Sequence, residues 1–108
     1  EALLLAERGG ADPAQVRMAL MGGFADSTIL KMHGQRMLER DFAPGGAAKW
    51  QYKDTQTAIA EMTRLGLDLP VSRQADALFG DMLSHGDGEL DHSALIRELR
   101  RRNDMPVD

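Results

Sequence analysis

Apolar residues recur at spacings of three and four along most of the chain, and no stretch alternates apolar and polar residues as a strand would. Glu1–Arg8 reads as the end of a helix, stopped by Gly9-Gly10. Asp12-Pro13 supplies a cap followed by a proline at the first helical position, and predicts a helix over Pro13–Met21 that stops at Gly22-Gly23. Asp26 or Ser27 caps the next helix, which runs to about Arg40 with Ile29, Leu30, Met37 and Leu38 as apolar positions. A Pro44-Gly45-Gly46 break precedes a long helix from about Ala47 to Leu65. Its stripe is Ala48, Tyr52, Ala58, Ile59, Met62 and Leu65, and Gly66 ends it. After a connector at Leu67–Leu69, a helix starts near Pro70 or Ser72 and carries Ala75, Leu78, Phe79, Met82 and Leu83. Gly86–Leu90 is expected to be a loop, and Asp91 or Ser93 caps a final helix through Asn103. The tail Asp104–Asp108 is expected to fray. The expectation is an all-α domain of about six helices, joined by short Gly/Pro turns, without linker or repeat.

Composition narrows the class. At 108 residues the chain is one domain with one modest core. Seven methionines and few aromatics point to an adaptable interior. The absence of cysteine excludes disulfides, thiolate nucleophiles and zinc–thiolate sites. The net charge of -4 argues against general nucleic-acid binding, and the basic run Arg97–Arg102 suits the last turn of a helix. No apolar run approaches the ~20 residues of a membrane span. The opening residues do not read as a secretory signal, and a first residue of Glu leads us to expect further residues upstream.

The densest chemistry lies in Phe42–Asp54, FAPGGAAKWQYKD. Lys49 and Lys53 are four residues apart at a predicted helix start, so both ammonium groups share a face that could hold a carboxylate or phosphate. The Gly22–Ser27 passage reads as a structural turn between helices. Gly86–Ser93 is acidic and glycine-rich, yet lacks the ligand order of a calcium loop. His33, His85 and His92 lack the spacing of a two-histidine helical metal site and read as surface or capping residues, so no metal site is expected.

FAPGGAAKWQYKD, with the Leu20, Gly22, Gly23, Ala25, Ser27 and Leu30 pattern before it, resembles the C-terminal domain of the β-hydroxyacid dehydrogenases. These NAD(P)-dependent enzymes include 3-hydroxyisobutyrate dehydrogenase and tartronate semialdehyde reductase. The resemblance implies a helical bundle like the 6-phosphogluconate dehydrogenase C-terminal domain, with residues 1–108 as a substrate and dimerisation domain. It implies that Lys53 touches the cofactor, NAD or NADP, and that Lys49 and Trp50 are candidates for substrate contact. The family's catalytic lysine would lie upstream of Glu1, since EALLLAE is similar to the later part of the interdomain helix. The dinucleotide-binding (Rossmann) domain with its G-x-G-x-x-G fingerprint is absent here.

The implied activity is hydride transfer between a nicotinamide and a small 3-hydroxy acid or its semialdehyde, in a cytoplasmic dimer or tetramer without nucleic-acid or membrane partners. The fragment alone is expected to be inactive. The alternative is a non-catalytic helical interaction or dimerisation module. Gly46, Trp50, Tyr52 and Thr55 depart from the family pattern, and Gly46, Trp50 and Thr55 are where substrate preference is expected to differ.

Overall fold

A computed structural model describes residues 1–107. Six α-helices follow one another: α1 (Ala2–Arg8), α2 (Pro13–Leu20), α3 (Thr28–Glu39), α4 (Ala48–Arg64), α5 (Pro70–Ser84) and α6 (Leu95–Arg101). A single 3-10 turn at His92–Ala94 leads into α6. The described residues contain no strand, only an isolated antiparallel bridge between Ala47 and Asp91. The all-α expectation therefore holds.

Local chemistry explains the helix ends. The Asp12 carboxylate accepts from the Ala14 N–H at 2.9 Å, and the Ser27 hydroxyl accepts from the Leu30 N–H at 2.9 Å. Each satisfies a donor that the first helical turn leaves open. Gly66 and Gly86, at φ of 68° and 85°, take the left-handed conformation that ends α4 and α5.

Helices α4 and α5 form an antiparallel hairpin. They approach closely at Gly80, where an added Cβ would lie 3.3 Å from the Tyr52 ring. Ala48, Met82 and Ala94 are fully buried, with Phe42, Phe79, Leu83, Leu90 and Leu95 packed around them. This core joins the start of α4, the end of α5 and the turn before α6. Leu3, Leu4 and Ile96 bury a second patch under α1.

Not every apolar position finds a partner. Ile29 is 61% exposed and Leu65 53% exposed, and Ala58 is exposed as well, so these three do not belong to the core the pattern suggested. The accessible surface is 6723 Å². A monomeric protein of this mass is expected to expose roughly 6,000 Å². Leu5, Met18, Ile29, Met32 and Val71 are all exposed, large apolar side chains that the chain itself leaves uncovered.

The C-terminal tail departs from the frayed expectation. The Met105 N–H donates to the Arg100 carbonyl at 3.0 Å, and Met105 is buried. The Arg100 guanidinium holds the Pro106 carbonyl and pairs with Glu7 of α1 at 2.6 Å. The tail is thus tied across α6 to the N-terminal helix. Asp108 lies outside the described residues. Met105→Ala is expected to cost about 2 kcal/mol, the lower end for truncating an apolar side chain in a core. Urea unfolding checks this, and a cost near zero would mean that the tail is not docked.

An ion-pair cluster fastens the α5–α6 connection. Asp87 is buried and takes Arg97 at 2.9 Å and Arg101 at 2.5 Å. Burial alone would raise its pKa, but the hydrogen bonds from Arg101 and Arg97 outweigh that and hold the carboxyl below the usual aspartate range. A depressed folded pKa contributes stability above the unfolded value, and that contribution is lost as pH falls through the folded one. The melting temperature of the wild type should therefore drop as pH is lowered below about 4. The drop should be shallower in Asp87→Asn, and equal slopes would remove Asp87 as its cause.

Candidate functional site

The loop between α3 and α4 is fixed by one buried carboxylate. Asp91 is 1% exposed. Its Oδ2 accepts from the N–H groups of Gly45 and Gly46 at 3.0 and 3.2 Å, and from the Arg36 guanidinium at 3.2 Å. Its Oδ1 accepts from the Ser93 N–H at 3.0 Å, so it caps the turn that starts α6. Burial alone would raise the carboxyl's pKa. The hydrogen bonds from Ser93, Gly46 and Gly45 outweigh that and hold it far below the ordinary aspartate range.

Arg36 also donates to the carbonyls of Asp41, at 3.1 Å, and Ala43. One arginine of α3 thereby ties the Pro-Gly-Gly loop to the far end of the chain. The main chain continues the seam: Asp91 N–H to Phe42 carbonyl at 3.0 Å, and His92 N–H to Gly46 carbonyl at 2.9 Å.

The same seam satisfies the start of α4. The Ala48 N–H donates to the Leu90 carbonyl at 2.8 Å, and the Lys49 N–H to the Gly88 carbonyl at 3.0 Å. Ala47 offers no side-chain cap, and the 88–90 loop does that work instead. This corrects the picture of an open, anion-attracting helix end. These two first N–H groups face protein carbonyls, so the lysines there act through their own side chains.

On α4, Lys49, Trp50 and Lys53 share one face at spacings of three and four. The Lys49 ammonium is held by both oxygens of Glu89, at 2.7 and 2.8 Å, and lies 5.2 Å from the Trp50 ring centre. Glu89 holds the less exposed Lys49 ammonium through both carboxylate oxygens, whereas Lys53 is more exposed, so the two lysines are not an equal pair. The Lys53 side chain is 64% exposed and pairs with its neighbour Asp54 at 2.9 Å. An exposed pair of this kind contributes little and is readily exchanged for another partner. Trp50 is 59% exposed beside it.

The other departures point elsewhere. Thr55 faces inward, with its hydroxyl 2.7 Å from Asp76 of α5, and Gln56 donates to the same carboxylate at 2.7 and 2.8 Å. Thr55 thus ties α4 to α5. Tyr52 packs on Gly80. Gly46 leaves a space beside His92, since an added Cβ would lie 3.0 Å from the His92 Nε2.

Sequence spacing missed a second grouping. His33 of α3 and His92 of the 3-10 turn bring their ring centres to 4.5 Å, both half-buried, next to Asp91. They are not isolated surface residues. Burial, and then the neighbouring His92, push the His33 imidazole below the usual histidine range. His85 is separate and is held by Glu98 at 2.8 Å.

A groove of about 520 Å³ lies among α1, α3, α5 and α6, with Leu3, Leu30, Met37, Val71, Leu78 and Ile96 on its walls. It is apolar, and none of Lys49, Trp50 and Lys53 lines it. No helix among the described residues is long and apolar enough to cross a membrane.

Comparison with known proteins places this arrangement. The model of a family described as "NAD-binding of NADP-dependent 3-hydroxyisobutyrate dehydrogenase" matches residues 1–99. The chain is 46% identical over 99 residues to 2-hydroxy-3-oxopropionate reductase of Escherichia coli, covering 92% of this chain and 34% of that protein. It is 35% identical over 107 residues to "Probable 3-hydroxyisobutyrate dehydrogenase-like 1, mitochondrial" of Arabidopsis thaliana, covering 99% of this chain and 32% of that protein. The crystal structure of a 3-hydroxyisobutyrate dehydrogenase from Salmonella typhimurium superposes with a TM-score of 0.85 at 24% identity, over 89% of this chain and 34% of that one, and shares its fold. The chain spans about a third of the length of the curated relatives it matches. The family model covers residues 1–99 of the 108, and the chain belongs to the 3-hydroxyisobutyrate dehydrogenase family.

Proposed function

We propose that this chain is the helical C-terminal domain of an NAD(P)-dependent oxidoreductase that moves a hydride between a nicotinamide and a small 3-hydroxy acid or its semialdehyde. The observation that carries this reading is the family match over residues 1–99, a model whose description is itself NAD-binding. The likeness to 2-hydroxy-3-oxopropionate reductase favours a substrate of the tartronate semialdehyde type. The dinucleotide-binding domain and the lysine that exchanges a proton with the alcohol or carbonyl would belong to the rest of the protein.

The residues present fit one contact with such a cofactor. Lys53 offers an exposed ammonium with only a weak local partner, on a helix anchored at its start by the Asp91 seam. Trp50 adds an exposed flat apolar ring on the same face. The first N–H groups of α4 face protein carbonyls and do not suit a pyrophosphate. When bound, the cofactor supplies the hydride. Lys53 holds the nicotinamide end and the substrate's anionic group in place, with Lys49 and Trp50 shaping the approach.

A second task is self-association into a dimer or tetramer. The apolar groove and the unpartnered residues Leu5, Ile29 and Val71 give it a surface of suitable chemistry.

The test uses the full-length protein. Reduced NADP or NAD is mixed with tartronate semialdehyde, and oxidised cofactor with 3-hydroxyisobutyrate, while nicotinamide absorbance is followed. Turnover with at least one pair is expected. Binding of neither cofactor would sink the reading and leave a non-catalytic helical module.

A further inference from the structure

We propose that His33, His92 and Asp91 form a binding site for a divalent transition-metal ion of the zinc or nickel type. The site is independent of the hydride-transfer reading. Each of the three residues offers a ligand atom, and all three atoms lie within 4.8 Å of one another. They come from α3 and from the turn before α6, two elements already locked together through Arg36 and Asp91.

Donor chemistry selects the ion. Imidazole nitrogens suit zinc, nickel and copper, whereas magnesium and calcium prefer sites built wholly from oxygen. In a tetrahedral zinc site with Zn–N bonds of ~2.0–2.1 Å, neighbouring donor atoms sit roughly 3.3 Å apart. The three groups must close by at most about 1.5 Å from their present separation, which lies within the reach of side-chain rotation.

Asp91 enters through one oxygen. Oδ2 is committed to Arg36, Gly45 and Gly46. Oδ1 accepts from the Ser93 N–H and keeps lone-pair capacity for an ion. The bonds on Oδ2 orient the carboxylate as outer-shell partners commonly orient metal ligands. The Arg36 guanidinium limits affinity, because it is a fixed cation on the same carboxylate.

Gly46 supplies the space. A Cβ there would lie 3.0 Å from the His92 Nε2, so any other residue would crowd the ring. The glycine that departs from the family pattern is thus the one that frees His92.

The experiment titrates ZnCl2, NiCl2 and MgCl2 into the full-length protein without a histidine tag, by calorimetry and by thermal melting. Zinc or nickel should bind saturably and raise the melting temperature, and magnesium should do neither. His33→Gln and His92→Gln, which keep volume and hydrogen-bonding capacity, should each abolish a stoichiometric zinc site while leaving the helical circular dichroism intact. His85→Gln should leave it unchanged. Gly46→Ala should weaken binding by roughly tenfold, as disturbed outer-shell partners do. Absence of zinc and nickel binding by the wild type overturns the proposal. So does a zinc site that survives in both His33→Gln and His92→Gln, or one that magnesium fills equally well.

Discussion

Replacing Asp91 by alanine is expected to destabilise the protein by about 3–5 kcal/mol, the cost of removing one partner from a buried charge pair. The side chain is 1% exposed and accepts from Arg36 and from the N–H groups of Gly45, Gly46 and Ser93. Alanine leaves three backbone donors and a guanidinium facing a small void, and each unsatisfied buried donor costs about 1–3 kcal/mol. The losses are not additive, because water reaches Arg36, whose side chain is 26% exposed. Asp91→Asn keeps an acceptor oxygen and loses the charge, so it should cost less, about 1–3 kcal/mol. Urea unfolding followed by circular dichroism measures both. A cost for the alanine variant below that of the asparagine variant would contradict the anchoring role. The damage should centre on the Pro-Gly-Gly loop and the start of α4, read by amide hydrogen exchange.

The second large effect concerns activity. Under the proposed function, Lys53→Ala in the full-length protein should lower kcat/KM by about a hundredfold, the scale for losing one preorganised donor at a reacting group. Stability should change by less than about 0.5 kcal/mol, because the side chain is exposed and pairs only with its neighbour. Lys53→Arg should recover part of the loss. Lys49→Ala should do much less, since Glu89 already occupies the Lys49 ammonium. This contrast separates a specific contact from a general loss of positive charge. Equal kinetic losses at the two lysines, or an unaltered profile for Lys53→Ala, would contradict the assignment.

The helices were legible because their signals are local. Asp12 and Ser27 cap as their residue types suggest, Pro13 and Pro70 open helices, and Gly66 and Gly86 close them. The seam at Asp91 was only half legible. As a cap it shows in the sequence, but its hold on Gly45, Gly46 and Arg36 joins residues that no periodicity connects. The contact between His33 and His92 was hidden for the same reason. The tail misled because its short run of Asp, Pro and Val around Met105 looks solvated, whereas the Arg100 guanidinium donates to the Pro106 carbonyl and the Arg100 carbonyl accepts from the Met105 N–H. Ile29 and Leu65 follow helical spacing faithfully, yet stay exposed, because spacing marks a face without saying what covers it. Lys53 stands apart: its exposure is a matter of geometry, and its role rests on likeness to a family.

The capping of α4 by the carbonyls of Gly88 and Leu90 has a consequence for how the protein forms. The longest helix begins at a residue with no side-chain cap, so its first turn depends on a loop made much later during synthesis. Until that loop emerges, a nascent chain should carry α4 with a ragged start, and the face that bears Lys53 should be the last part of the helix to settle. Cleavage of the backbone between Gly86 and Glu89 in the finished protein should have the same outcome, loosening a helix that the cut never touches.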